Sequence, residues 1–170
     1  GTGLHPTTQG CLRALEDIVT PGISVLDAGT GSGILAIAAV KLGATEVAAF
    51  DTDGLAVRAT ADNALQNGVA DAIHVWRGEL DSVRDEVARQ TWDVVVANIL
   101  APVIIHLLSE QGLFDYVAPG GRLAPGGRLV LSGIILEQGP AVEEAIVRAG
   151  GQVHDTITAG DWLTYIAGRR

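Results

Sequence analysis

The feature that most constrains this chain is Ser24–Ala28, a short apolar run that ends in Gly29-Thr30-Gly31-Ser32-Gly33 and passes at once into the helical stretch Ile34–Leu42. Glycines at such a turn let the backbone approach a ligand closely, and the exposed N–H groups of the helix that follows favour an anionic or carboxylate group. The alternative is a glycine turn that serves only tight packing of strand against helix. A dinucleotide fingerprint, G-x-G-x-x-G, would need glycine at position 34, where this chain has Ile34. The spacing here is G-x-G-x-G.

Strand followed by helix is the rhythm of most of the chain. Thr7–Val19 places Cys11, Leu12, Leu15, Ile18 and Val19 on one helical face and is stopped by Pro21-Gly22. Further helices are predicted over Asp53–Gln66, Asp81–Gln90, Ala101–Val117 and Ala141–Ala149, and strands over Glu46–Phe50, Ala72–Trp76, Trp92–Ala97 and Arg128–Ser132. Runs such as Val94-Val95-Val96 suit strands covered on both faces. The pattern predicts an α/β fold, three layers with an open, mostly parallel sheet and helices on both sides. At the end the rhythm breaks. Gln152–Thr158 and Trp162–Gly168 both read as strands separated only by Ala159-Gly160-Asp161, so the last strand must be antiparallel.

Length and charge narrow the function. A chain of 170 residues that is 48% hydrophobic can bury its own core, and residues 1–170 are expected to form one domain. A net charge of -9 offers no cationic surface to a phosphate backbone, so nucleic acid is not expected as a direct partner. The longest apolar stretches are interrupted by Asn98 and Pro102 and are followed by His106, which excludes a membrane-spanning helix. Cys11 is the sole cysteine, no Cys/His spacing suggests a metal site, and a reducing cytoplasm fits. Ala118-Pro119-Gly120-Gly121-Arg122-Leu123 is repeated at once as Ala124–Leu129. Six residues are too few for a repeat architecture, so the first copy reads as a loop insertion and the second as the lead into a strand.

Several polar residues fall where strands end. Asp51 closes the second strand, where a carboxylate can accept both hydroxyls of a ribose lying across the sheet, while Asp53 is placed to cap the next helix. Glu79 follows the third strand and reads either as a contact for an adenine amino group or as a solvated loop acid. Asn98 follows the strand Trp92–Ala97, where its amide oxygen could accept a hydrogen bond from an amine; a helix N-cap is the alternative. His74, His106 and His154 read as packing or surface residues, and Trp76, Trp92 and Trp162 as core. The G-x-G-x-G turn together with a hairpin-ended sheet is the arrangement associated with S-adenosylmethionine.

Taken together, Gly1-Thr2-Gly3-Leu4-His5-Pro6-Thr7-Thr8, the Asp27–Gly33 loop running into Ile34-Leu35-Ala36-Ile37-Ala38-Ala39, Asp51-Thr52-Asp53, Val95-Val96-Ala97-Asn98-Ile99-Leu100 and Leu131-Ser132-Gly133-Ile134 resemble the PrmA family of bacterial ribosomal-protein methyltransferases. The resemblance implies a class I, Rossmann-like methyltransferase domain with strand order 3-2-1-4-5-7-6. It implies that Thr8, Gly29, Asp51 and Asn98 contact S-adenosylmethionine and that the opening loop, with His5, folds over it. Gly31, Gly33 and Glu79 complete the expected cofactor set, and Asn98 is also the expected catalytic residue. The acceptors it implies are lysine side chains and the N-terminal α-amine of a large-subunit ribosomal protein. Two departures stand out. The family's N-terminal recognition domain has no counterpart after Gly1, and the doubled Ala-Pro-Gly-Gly-Arg-Leu is foreign to its pattern. A small-molecule N-methyltransferase, a cofactor-binding module without turnover and a nicotinamide-dependent dehydrogenase are the rivals. Ile34 and the terminal hairpin argue against the last.

Overall fold

The computed structural model describes residues 3–123 and 125–170. Gly1 and Thr2 of the opening motif, and Ala124 at the head of the second repeat, lie outside the described residues. Seven strands, β1 (Ser24–Ala28), β2 (Glu46–Asp51), β3 (Ile73–Arg77), β4 (Val94–Asn98), β5 (Arg128–Ile135), β6 (Gly151–Ala159) and β7 (Trp162–Arg169), form one sheet in the order β3-β2-β1-β4-β5-β7-β6. β3, β2, β1, β4 and β5 are mutually parallel, and β7 runs antiparallel between β5 and β6. The strand order and the antiparallel hairpin agree with the sequence-based expectation.

The helices are α1 (Pro6–Ile18), α2 (Ile34–Leu42), α3 (Gly54–Gln66), the single turn α4 (Val83–Glu86), α5 (Ala101–Ser109) and α6 (Gly139–Arg148). Alternate residues of the central strands explain the layers. Val94 and Val96 join the core beneath α1 and α2 with Cys11, Leu15, Leu35 and Ala36, whereas Val95 and Ala97 face the opposite core with Ile104, Leu107 and Ile146 of α5 and α6. Every residue of Val94–Ala97 is fully buried, which is why that stretch reads as a continuous apolar run.

Three elements differ from their sequence reading. Asp81–Gln90 is not a continuous helix: a 3-10 turn over Leu80–Ser82 is followed only by α4, because Leu80 and Val83 are its buried anchors and Arg89 turns away to pair with Glu46 at 2.7 Å. The helix that begins at Ala101 stops at Ser109 instead of Val117, and Gly112 is left-handed at φ +67 before a 3-10 turn, Leu113–Tyr116. β4 begins at Val94; Trp92 makes only an isolated bridge to Val117. Trp76 and Trp92 are core residues as expected, but Trp162 is only half-buried and meets His5 edge-on, ring centroids 4.9 Å apart.

The doubled segment closes on itself. The Ala118 carbonyl accepts the Gly127 N–H at 2.8 Å, pinching the base of the doubled segment, and Arg128 leads into β5. The parallel strands meanwhile end along one edge of the sheet, where the order reverses between β1 and β4, and there such folds carry their crevice.

Candidate cofactor site

The glycine loop leaves β1 at Ala28 and enters α2 at Ile34, with Gly29, Gly31 and Gly33 all left-handed at φ +74, +58 and +84. Three such residues in five would be strained for any side chain, which accounts for the glycine spacing. A Cβ on Gly29 would stand 2.6 Å from Cγ2 of Ile99, while one on Gly33 would stand 2.8 Å from Thr60 of α3. Gly29 therefore lies against the crevice wall, and Gly33 lets α2 and α3 pack closely.

Much of the loop's polarity is already satisfied by the chain. The Gly29 and Thr30 N–H groups both donate to the Phe50 carbonyl at 3.0 Å, and the Gly31 N–H donates to Asp51 at 3.0 Å. Thr60 and Asn63 of α3 donate to the carbonyls of Gly31 and Ser32 at 3.0 and 2.8 Å. At the start of α2 the negative group is the chain's own Asp27, only 1% exposed, which accepts the Thr30 hydroxyl at 2.8 Å and the Ala36 N–H. Burial pushes the Asp27 carboxyl up to about 6; the bonds from Thr30 and Ala36 pull it back, and the nearby charge of Asp51 adds to the rise. Sequence reading placed Asp27 in the family-like loop but gave it no role of its own, although a carboxylate inside an otherwise apolar strand is a visible signal.

Asp51 ends β2 half-buried, with one oxygen on Gly31 and the other accepting the Asp53 N–H at 3.0 Å. Asp53 caps α3 by accepting the Leu55 N–H at 2.9 Å, the role expected of it. Gly29, Asp51 and Glu79 come together on a cleft of about 510 Å³, a volume suited to a small-molecule ligand. Its apolar walls include Phe50, Leu80, Ile99, Leu100 and Val103. The cradle left by Gly29, a carboxylate at its rim and apolar walls fit an adenosyl group.

The remaining expected residues do not line the cleft. Asn98, at the end of β4, donates from Nδ2 to the Thr8 hydroxyl of α1 at 3.4 Å, linking the β4 corner to the opening segment. It does not cap α5, whose N-cap residue is Leu100. His5 caps α1 by accepting the Thr7 N–H at 3.3 Å. His106, read from sequence as a packing or surface residue, is exposed and lines the cleft, as does Gln111. Ile99, Val103, His106 and Leu107 recur at helical spacing along one wall, a signal that could have found them; Gln111 depends on the break of α5 after Ser109. Among the described residues no group of three or more His, Cys, Asp or Glu could hold a metal ion, and no helix is long and apolar enough to cross a membrane.

The sheet order with its antiparallel β7, and a cleft bounded by the glycine loop and the acid ending β2, define a Rossmann-like domain of the type found in class I methyltransferases. A Salinibacter ruber RNA methyltransferase solved in complex with S-adenosyl-L-homocysteine shares this fold, with a TM-score of 0.66 over 95% of this chain and 92% of that one at 20% identity. The chain belongs to the ribosomal protein L11 methyltransferase (PrmA) family, whose model matches residues 1–170. It is 42% identical over 169 residues to the ribosomal protein L11 methyltransferase of Listeria monocytogenes serotype 4b, covering 99% of this chain and 50% of that protein. The crystal structure of ribosomal protein L11 methylase from Lactobacillus delbrueckii subsp. bulgaricus superimposes with a TM-score of 0.85 at 34% identity, covering 99% of this chain and 81% of that one. The chain spans about half the length of the curated relatives it matches.

Proposed function

We propose that residues 1–170 form one S-adenosylmethionine-binding domain that methylates amino groups, the lysine ε-amines and N-terminal α-amine of ribosomal protein L11. The observation that carries the reading is Asp51, whose carboxylate both ties down the glycine loop through Gly31 and faces the cleft. Family membership adds the acceptor class. Such an acceptor points to the cytoplasm, and a net charge of -9 suits a cationic protein better than a nucleic acid.

When bound, S-adenosylmethionine supplies a methyl group activated by a positively charged sulfur. The protein's part is then alignment. Asp51 would accept the ribose hydroxyls and Glu79 the adenine amino group's hydrogen bond, while Gly29 would let the backbone come close. Gly31 and Gly33 give the loop its left-handed path, and the opening segment carrying His5 and Thr8 would fold over the cofactor. Because the Asn98 Nδ2 is engaged by Thr8, its amide oxygen is left to accept a hydrogen bond from the incoming neutral amine and to aim the nitrogen lone pair. The proton lost by the amine before transfer goes to solvent.

Incubation of this chain with S-adenosylmethionine and ribosomal protein L11, followed by peptide mass mapping, tests the reading. Methylation confined to lysine and α-amino nitrogens is expected. Methylation of free small amines with none on the protein would overturn the acceptor assignment.

A further inference from the structure

The Leu131-Ser132-Gly133-Ile134 segment is not used by the reading above, yet its Gly133 packs against Ile99, which lines the cleft. Ser132 is paired in register with Asn98, and its carbonyl accepts the Ile99 N–H at 3.1 Å. Immediately after it β5 slips against β7, since Ser132 pairs with Thr164 and Ile134 with Leu163, leaving Gly133 as the extra residue of a bulge at φ +89. A Cβ on Gly133 would overlap the Ile99 carbonyl oxygen and stand 2.7 Å from its carbonyl carbon and 3.1 Å from its nitrogen. The backbone of Ile99 thus occupies the space that any side chain at 133 would need.

On its other side Ile99 meets the glycine loop, with Cγ2 only 2.6 Å from where a Gly29 side chain would begin. Gly29 and Gly133 come from separate motifs and flank one isoleucine. The bulge itself is held in place: the buried Ser132 hydroxyl donates to the Leu163 carbonyl at 2.9 Å and accepts the Thr164 hydroxyl at 2.8 Å. We infer that Ile99 is a positioning residue for the glycine loop, and that the Gly133 bulge sets where it stands. This rests on the reading of the cleft as a cofactor site.

The consequence is that crowding at Gly133 is transmitted through the Ile99 side chain to Gly29. Gly133→Ala should weaken S-adenosylmethionine binding about tenfold, and adding Ile99→Ala should recover about fivefold of that loss, because a shortened side chain no longer presses on the loop. A second core truncation acting only on stability would deepen the loss. Calorimetric titration of the wild-type chain, Gly133→Ala and the double variant reads this directly. If Gly133→Ala gives no cooperative melt, Gly29→Ala with and without Ile99→Ala approaches the same wedge from the loop side, and the same recovery is expected. Unchanged affinity in folded Gly133→Ala, or no recovery on adding Ile99→Ala to a folded glycine variant, would overturn the inference. A wild-type chain that does not bind S-adenosylmethionine would instead overturn the proposed function.

Discussion

The carboxylate of Asp51 accepts the backbone N–H of Gly31 at 3.0 Å, joining the end of β2 to the middle of the glycine loop. One side chain therefore shapes the loop and faces the ligand cleft. Each hydrogen bond to a charged group contributes about 1.5–3 kcal/mol, so Asp51→Ala should reduce S-adenosylmethionine affinity by roughly tenfold or more. Asp51→Asn, which keeps an acceptor for Gly31, should lose less. Calorimetry on folded variants checks the order; equal affinity for all would remove Asp51 from the site.

Asp27 gives the protein a pH signature. Its carboxyl is pushed up from 3.8 to about 6 in the fold, so the native state holds that proton more tightly than the unfolded chain. Its contribution to stability is then greatest below about pH 4, declines between about 4 and 6, and is level above. Compared with Asp27→Asn, which keeps an oxygen for Thr30 and Ala36, the wild type should lose on the order of 2 kcal/mol of stability from pH 4 to pH 7. Urea melts of both proteins across that range measure the difference, and a constant gap would contradict the protonation argument.

Deletion of Ala118–Leu123 should leave a cooperative fold. The remaining Ala124-Pro125-Gly126-Gly127 has proline and glycine at the central positions of a type II turn and can close into Arg128. Shortening the closed segment from ten residues to four favours folding by about 0.8 kcal/mol in loop entropy. Against this stand the Arg122 N–H bond to the buried Asp93, at 3.4 Å, and the packing of Leu123 on the core. A thermal transition within a few degrees of wild type is expected, about 3 °C either way. Loss of the transition would show that the first copy is structural.

The sheet was legible because its signals are local. Val94-Val95-Val96 and the three glycines of the loop each announce one element, and Ala159-Gly160-Asp161 is too short for anything but a hairpin. Asp51 and Asp53 were separable because one ends a strand and the other precedes a helix. The misread parts depend on tertiary contacts. Nothing in Ala101–Val117 forbids helix before Gly112, and only the fold shows that stopping at Ser109 brings Gln111 to the cleft. His106 resembles any polar helix residue until α5 is docked. Gly133 lies just past the strand read over Arg128–Ser132, and only the fold shows the Ile99 backbone filling the space that a side chain there would need.

Asn98 and Thr8 should behave as a unit. Thr8→Val removes the partner of the Asn98 amide and frees it to turn, so methyl transfer should fall by about tenfold with a smaller change in cofactor affinity. Asn98→Ala should cost more turnover, and adding Thr8→Val to it should cost little further. Initial rates at saturating S-adenosylmethionine test this. Additive losses would separate the two residues.

The central claim is that this cleft is an adenosyl site of the methyltransferase type, and calorimetric titration of the chain with S-adenosylmethionine and, in parallel, with NAD tests it most directly. The account predicts saturable binding of S-adenosylmethionine that is weakened by Asp51→Ala, with no measurable heat from NAD. Binding of NAD in preference to S-adenosylmethionine, or S-adenosylmethionine binding indifferent to Asp51, would contradict it.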